Sequence, residues 1–129
     1  MLACFKHTMR EAVARTWGWD ESFQDASFAR QVRTADCVVF ESGSTFAGFA
    51  AVERHAHAWT LQMLCLMPAL QRLGHGTRWL QALKHDAACR GVPVHLHVMK
   101  VNPAQLLYER LGFEVIGEDG AVYEMALAP

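Results

Sequence analysis

The 129-residue sequence has no run of basic residues, no C-x-x-C pair and no apolar stretch long enough to cross a membrane. Its 12 Lys and Arg are scattered and stand against 13 Asp and Glu, for a formal charge of −1. That leaves no electrostatic footprint for DNA or RNA, so no nucleic-acid partner is expected. Cys4, Cys37, Cys65 and Cys89 lie too far apart for a disulfide framework or a zinc knuckle, which points to a reducing compartment. The opening MLACFKHTMREAVARTW turns charged within a dozen residues, so it is read as neither a signal peptide nor a membrane span. A cytoplasmic protein is expected.

What is present is a chain that is 52% hydrophobic and 19% charged, the profile of a single domain over residues 1–129. A domain of that size buries roughly two thirds of its unfolded surface and needs no metal or disulfide for stability. Leu2, Phe5, Met9, Ala12 or Val13, and Thr16 recur at spacings of three and four, one face of a helix that Gly18 can end. Asp20 stands as the N-cap of a second helix running to about Val32. Apolar runs at Cys37–Phe40, Thr45–Glu53 and Trp59–Leu66, separated by turn residues, predict an antiparallel meander of three strands that Pro68 closes. Gly76, Leu80, Leu83 and Ala87 mark a helix ended by Gly91. Val92–Val98 reads as a strand, Pro103 and Gly112 bracket a short helix, and Phe113–Ile116 with Ala121–Leu127 form a hairpin across Asp119-Gly120. The order ααβββαβαββ predicts an α/β (α+β) fold on one mixed sheet.

Two stretches carry chemistry. In Leu64-Cys65-Leu66-Met67-Pro68-Ala69-Leu70-Gln71-Arg72-Leu73-Gly74-His75-Gly76-Thr77 a strand leads through a loop to two glycines at a helix start. A helix N-terminus offers unpaired N–H groups and partial positive charge, and glycine lets backbone approach an anion, so the loop suits phosphate. One strand further on comes Asn102-Pro103-Ala104-Gln105-Leu106-Leu107-Tyr108-Glu109-Arg110-Leu111-Gly112-Phe113. Together, Gln71-x-x-Gly74-x-Gly76 and Asn102…Leu107-Tyr108-Glu109-Arg110-Leu111-Gly112-Phe113 resemble the two signatures of the GNAT superfamily of N-acetyltransferases. Thr8-Met9-Arg10-Glu11 and Trp17-Gly18-Trp19-Asp20-Glu21 also resemble the first helices of a bacterial subgroup, so the likeness covers nearly the whole chain.

The resemblance implies an acetyl-CoA-dependent N-acetyltransferase, with acetyl-CoA as co-substrate, no metal, and a small-molecule or peptide amine as acceptor. Leu64, Cys65 and Leu66 would offer backbone groups to the pantetheine arm and thioester. Gln71, Arg72, Leu73, Gly74, His75, Gly76 and Thr77 would bind the pyrophosphate, and Asn102 would touch the pantetheine. Tyr108 would direct its hydroxyl at the CoA sulfur. Trp17, Trp19 and Glu21 are candidates for the acceptor pocket, because the resembled fold places its first two helices over the substrate. The alternative from another class is a non-catalytic acyl-CoA-binding or regulatory module.

The general base departs from the commoner pattern, since Leu61-Gln62-Met63-Leu64-Cys65-Leu66 holds no carboxylate. His97, five residues before Asn102, stands where some ribosomal-protein acetyltransferases of the superfamily have a glutamate, and imidazole accepts protons near neutrality. A water-mediated route from Glu53 is the reserve. His55-Ala56-His57 and His95-Leu96-His97 are two H-x-H pairs that would offer zinc four imidazoles only if their strands were neighbours. Members of the resembled family usually open with a strand that this sequence lacks before Leu2. Its absence would leave Cys37–Phe40 as an apolar sheet edge, to be covered in a homodimer, or by upstream residues if the start has been assigned too late.

Overall fold

The computed structural model describes residues 1–67 and 74–129. Helix α1 (Leu2–Thr16) turns Cys4, Phe5 and Val13 inward, with Leu2 and Met9 packed beside them. At Gly18, with φ +81°, the chain leaves the helix as its N–H reaches back to the Ala14 carbonyl at 3.1 Å. Asp20 then caps α2 (Glu21–Thr34), its carboxylate accepting the Phe23 N–H at 2.9 Å. The corner between the helices is thus the one the sequence predicts, with α2 two residues longer. Phe28 anchors α2, its ring 5.3 Å from Phe5 and 6.0 Å from Phe49 between centroids.

The meander is β1 (Asp36–Ser42), β2 (Thr45–Arg54) and β3 (Trp59–Leu66), all antiparallel. Helix α3 (His75–Arg90) crosses to β4 (Val94–Met99), which lies parallel to β3. Helix α4 (Ala104–Arg110) leads to the hairpin of β5 (Glu114–Asp119) and β6 (Val122–Leu127). The six strands form one sheet in the order β1-β2-β3-β4-β6-β5, a mixed α/β architecture of the expected class. On one face Phe5, Phe28, Phe49, Met63 and Cys65 form the core under α1 and α2. On the other, Leu61, Leu80, Leu83, Leu96 and Met125 form the core under α3 and α4.

Two strand starts differ from expectation. Strand β4 begins at Val94 rather than Val92, because Val92 is used in ending α3: behind Gly91, at φ +67°, its N–H closes on the Ala87 carbonyl at 3.1 Å. Strand β5 begins at Glu114, because the Phe113 N–H turns back to the Tyr108 carbonyl and its ring packs on Tyr108 at 5.7 Å. The expected closure of β3 at Pro68 lies outside the described residues.

Two irregularities position the site. The β2–β3 register slips between Ala51 and Val52, which pair with Met63 and Leu61, so Gln62 is an extra residue on β3. Such a bulge reverses the alternation of faces. Leu61 therefore packs under α3, while Met63 and Cys65 pack under α1 and α2. Strands β3 and β4 pair only from Trp59 to Leu61 against Val94 to Leu96 and then part. At the far rim β1 pairs with β2 alone among the described residues, leaving Val38 38% and Val39 50% exposed.

Candidate active site

The parting of β3 and β4 opens a cleft of about 340 Å³. Its floor is the separating strands, Gln62 to Cys65 on one side and His97 to Met99 on the other; Asn102 and Tyr108 also line it. Met9 and Val13 of the first helix, Trp17 just past its end, and Gln24, Ser27 and Gln31 of the second roof it. The residues expected to meet the thioester are thereby brought together: Leu64, Cys65, His97, Asn102 and Tyr108 share one cleft. Leu66 adjoins it, its side chain packed toward Phe40 and Trp79.

Tyr108 is buried, and its ring is held by Phe113. Burial, with a smaller contribution from the nearby Cys65 thiol, pushes its phenol well above the usual range, so it stays a proton donor at every physiological pH. Burial likewise pushes the Cys65 thiol up to about 12, partly offset by a hydrogen bond from Thr8. A thiol so held is not a nucleophile at neutral pH. His97 is exposed into the cleft on β4, opposite Glu124 in the β4–β6 register. Glu53 does not line the cleft; one of its oxygens meets His55 Nε2 at 2.6 Å and the other accepts from Gln62 Nε2 at 2.9 Å. Asn102 also has a structural duty, its side-chain oxygen accepting the Ala104 N–H at 2.9 Å at the start of α4.

Helix α3 begins beside the end of β3. Gly74 adopts the left-handed conformation at φ +82°, which favours glycine, and a Cβ on Gly76 would lie 3.0 Å from Leu66 Cδ1, so a larger residue there would push the Leu66 side chain aside. His75 Nδ1 is approached by the Arg78 guanidinium at 3.5 Å. Guanidinium only donates, which assigns the ring proton to Nε2. That N–H is buried without a hydrogen-bond partner among the described residues. An orphaned donor beside the unpaired first-turn amides of a helix fits an anion such as a pyrophosphate. Gln71, Arg72 and Leu73 lie outside the described residues.

Two expected placements turn out differently. Trp17 stands at the cleft mouth, 63% exposed, but Trp19 and Glu21 do not line the cleft. Glu21 accepts from the Trp19 indole and pairs with Lys6, which holds its carboxyl below the ordinary range. The two H-x-H pairs do not converge: Thr60, not His55 or His57, lies beside His95, and no group of three metal-ligating side chains occurs among the described residues. Sequence reasoning missed Gln24, Ser27, Gln31 and Gln62. The signal was available, since Gln24 and Gln31 share the spacing of Phe28 on the inward face of a helix, where amides are unusual.

The fold is shared with acetyltransferases of solved structure. It superposes on the paia N-acetyltransferase of Thermoplasma acidophilum in complex with coenzyme A at a TM-score of 0.73 and 20% identity, over 99% of this chain and 92% of that one. The ribosomal-protein-S18-alanine N-acetyltransferase of Escherichia coli matches at 0.70 and 24%, over 98% and 86%. The aminoglycoside 6'-N-acetyltransferase of Enterococcus faecium matches at 0.65 and 16%, over 95% and 89%. A search of curated proteins finds no significant match. The family model described as an acetyltransferase (GNAT) domain matches residues 5–127, and the chain belongs to that family.

Proposed function

We propose that this chain is an N-acetyltransferase, a single domain over residues 1–129 that moves the acetyl group of acetyl-CoA directly to an amine in a ternary complex. The observation that carries the reading is the shared cleft: a buried phenol held protonated, an imidazole, and strand backbone freed by the parting of β3 and β4. Structural relatives named as N-acetyltransferases, one with coenzyme A bound, support the same chemistry.

In this mechanism the start of α3, from Gly74 to Thr77, with Gln71 to Leu73 before it, holds the pyrophosphate. Backbone of Leu64, Cys65 and Leu66 and the Asn102 amide hold the pantetheine and thioester. The amine nitrogen forms its bond to the carbonyl carbon while His97 takes the proton that nitrogen loses. Backbone N–H groups of β3 stabilise the oxyanion that develops. The carbon–sulfur bond then breaks, and Tyr108 gives its proton to the departing thiolate and regains one from solvent. Cys65 forms no acyl intermediate.

The test is release of free CoA from acetyl-CoA across an amine library, together with calorimetric binding of acetyl-CoA. An enzyme gives both. Binding without release for every amine would convert the protein to a carrier or regulatory module. Loss of binding in Gly76→Asp, which sets a carboxylate at the helix start, is expected; unchanged affinity would place the donor site elsewhere.

A further inference from the structure

Among the described residues, the cleft is lined by no Asp, Glu, Lys or Arg side chain. Glu124 stands opposite His97 in the β4–β6 register but outside the lining, and three other charged side chains nearby are engaged elsewhere. Lys6 is held by Glu21 and Asp25, Arg10 lies over the Trp19 ring, and both Glu53 oxygens are taken by His55 and Gln62. The cleft is instead furnished with neutral hydrogen-bonding groups: Gln24, Ser27 and Gln31 on α2, and Thr60 and Gln62 on β3.

Gln24 is the telling member. It is only 7% exposed, it lines the cleft, and its side-chain amide has no hydrogen-bond partner among the described residues. Gln31, by contrast, is turned to Ser27 Oγ at 3.5 Å, and Gln62 is bound to Glu53. Among the described residues the buried side-chain polar atom without a partner is His75 Nε2, so the Gln24 amide is open to the cleft, where a group that enters can pair with it. A primary amide offers donors and an acceptor side by side, which is the complement of a peptide group.

We infer that the acceptor is the α-amine end of a peptide whose first residues are uncharged, with its first peptide group paired to Gln24; the inference rests on the acetyltransferase reading above. A polycationic amine would bring further ammonium groups into a cleft whose described lining has no carboxylate to meet them, and an unpaired buried charge is strongly disfavoured. The proton balance points the same way. His97 is the one imidazole in the described lining, while Tyr108 and Cys65 both hold their protons. A single weak base suits an amine that is already partly free. At pH 7.5 roughly a third of α-amines are unprotonated, against about one in a thousand lysine side chains.

The experiment is steady-state release of free CoA by the full chain with four acceptors. These are an uncharged tetrapeptide amide with a free N-terminus, the same peptide N-acetylated and carrying one lysine, spermidine, and kanamycin. The free-N-terminus peptide should exceed each of the others in kcat/KM by about tenfold or more, the scale set when a site's buried polar groups are left unpaired. Gln24→Leu should raise KM for that peptide about tenfold with kcat within threefold, leaving acetyl-CoA affinity by calorimetry unchanged. Gln24→Glu, nearly the same shape, should shift preference toward spermidine. Best turnover of spermidine or kanamycin, or equal use of the lysine peptide, would overturn this inference while leaving the enzyme intact. So would unchanged peptide KM and unchanged preference in a folded Gln24 variant. Acetyl-CoA binding with no turnover of any amine would instead overturn the acetyltransferase reading, and this inference with it.

Discussion

Replacing Gly48 by alanine puts a methyl group where backbone already stands. Gly48 pairs with Leu66 on β3 and Phe40 on β1, at φ +152°. Its Cβ would lie 2.2 Å from the Cys65 carbonyl oxygen and 2.9 Å from Leu66 Cα. Carbon and oxygen ordinarily come no closer than about 3.3 Å, so the strands must separate by about 1 Å. No side chain can rotate aside to spare them. Overpacking of this kind costs about 1–3 kcal/mol, and the unfavourable φ adds about 1, for a loss near 3 kcal/mol. With an unfolding entropy of ~2.1 cal/mol/K per residue over 129 residues, Tm should fall by about 11 °C. Gly43→Ala is the matched control, since φ is +64° but nothing lies within 4 Å of the new methyl. It should lose about 1 kcal/mol and about 4 °C. Scanning calorimetry of both variants reads the difference. Because the displaced backbone is Cys65–Leu66, acetyl-CoA affinity should also weaken in Gly48→Ala and not in Gly43→Ala. Equal losses of Tm in the two variants would refute the contact argument.

Tyr108→Phe removes the buried hydroxyl alone, so kcat should fall about ten- to a thousandfold while acetyl-CoA affinity by calorimetry stays within a fewfold; an unchanged kcat would remove the phenol from proton transfer. Stability should fall at alkaline pH, because the Cys65 thiol ionises near 9.0 when unfolded but near 12 when folded, so its contribution is full below about pH 9 and is lost as pH rises toward 12. Denaturant titration at pH 9 to 10 should therefore show a slope that Cys65→Ala reduces by up to about 1.4 kcal/mol per pH unit, and an unaltered slope would contradict the buried thiol. We expect a homodimer through the β1 edge, with Val39→Lys shifting it to monomer in light scattering; a monodisperse monomer of the unaltered chain at tens of micromolar would refute the pairing.

Local rules made most of the architecture legible. Helix ends followed Gly18, Asp20 and Gly91, and strand limits followed turn residues, because capping and left-handed glycine act within a few residues. The two displaced strand starts, at Val92 and Phe113, arose where a helix end used the next backbone N–H. The bulge at Gln62 was not legible, since nothing in Leu61-Gln62-Met63 distinguishes an extra residue from regular alternation until its neighbour strand is placed. The site divides in the same way. Tyr108, Asn102 and Leu64 stand in two spaced motifs and His97 was read from its distance to Asn102, whereas Trp19 and Glu21 turn away because Lys6, distant in sequence, captures the carboxylate. Gln24 entered only when α2 was seen lying over the parted strands.

The parting of β3 and β4 also means that this sheet has borders in its interior. Past Leu61 and Leu96 each strand keeps one neighbour and turns its other row of backbone groups to a gap. At a rim such a row invites another chain's strand, and ligand sites made this way carry that hazard into the middle of the molecule. Helix α1 lies across both strands and covers part of that gap. The helix that helps roof the acceptor is therefore also a guard against aggregation. Substitutions that loosen α1, at Phe5 or Val13 in particular, should harm solubility before they harm the sheet itself.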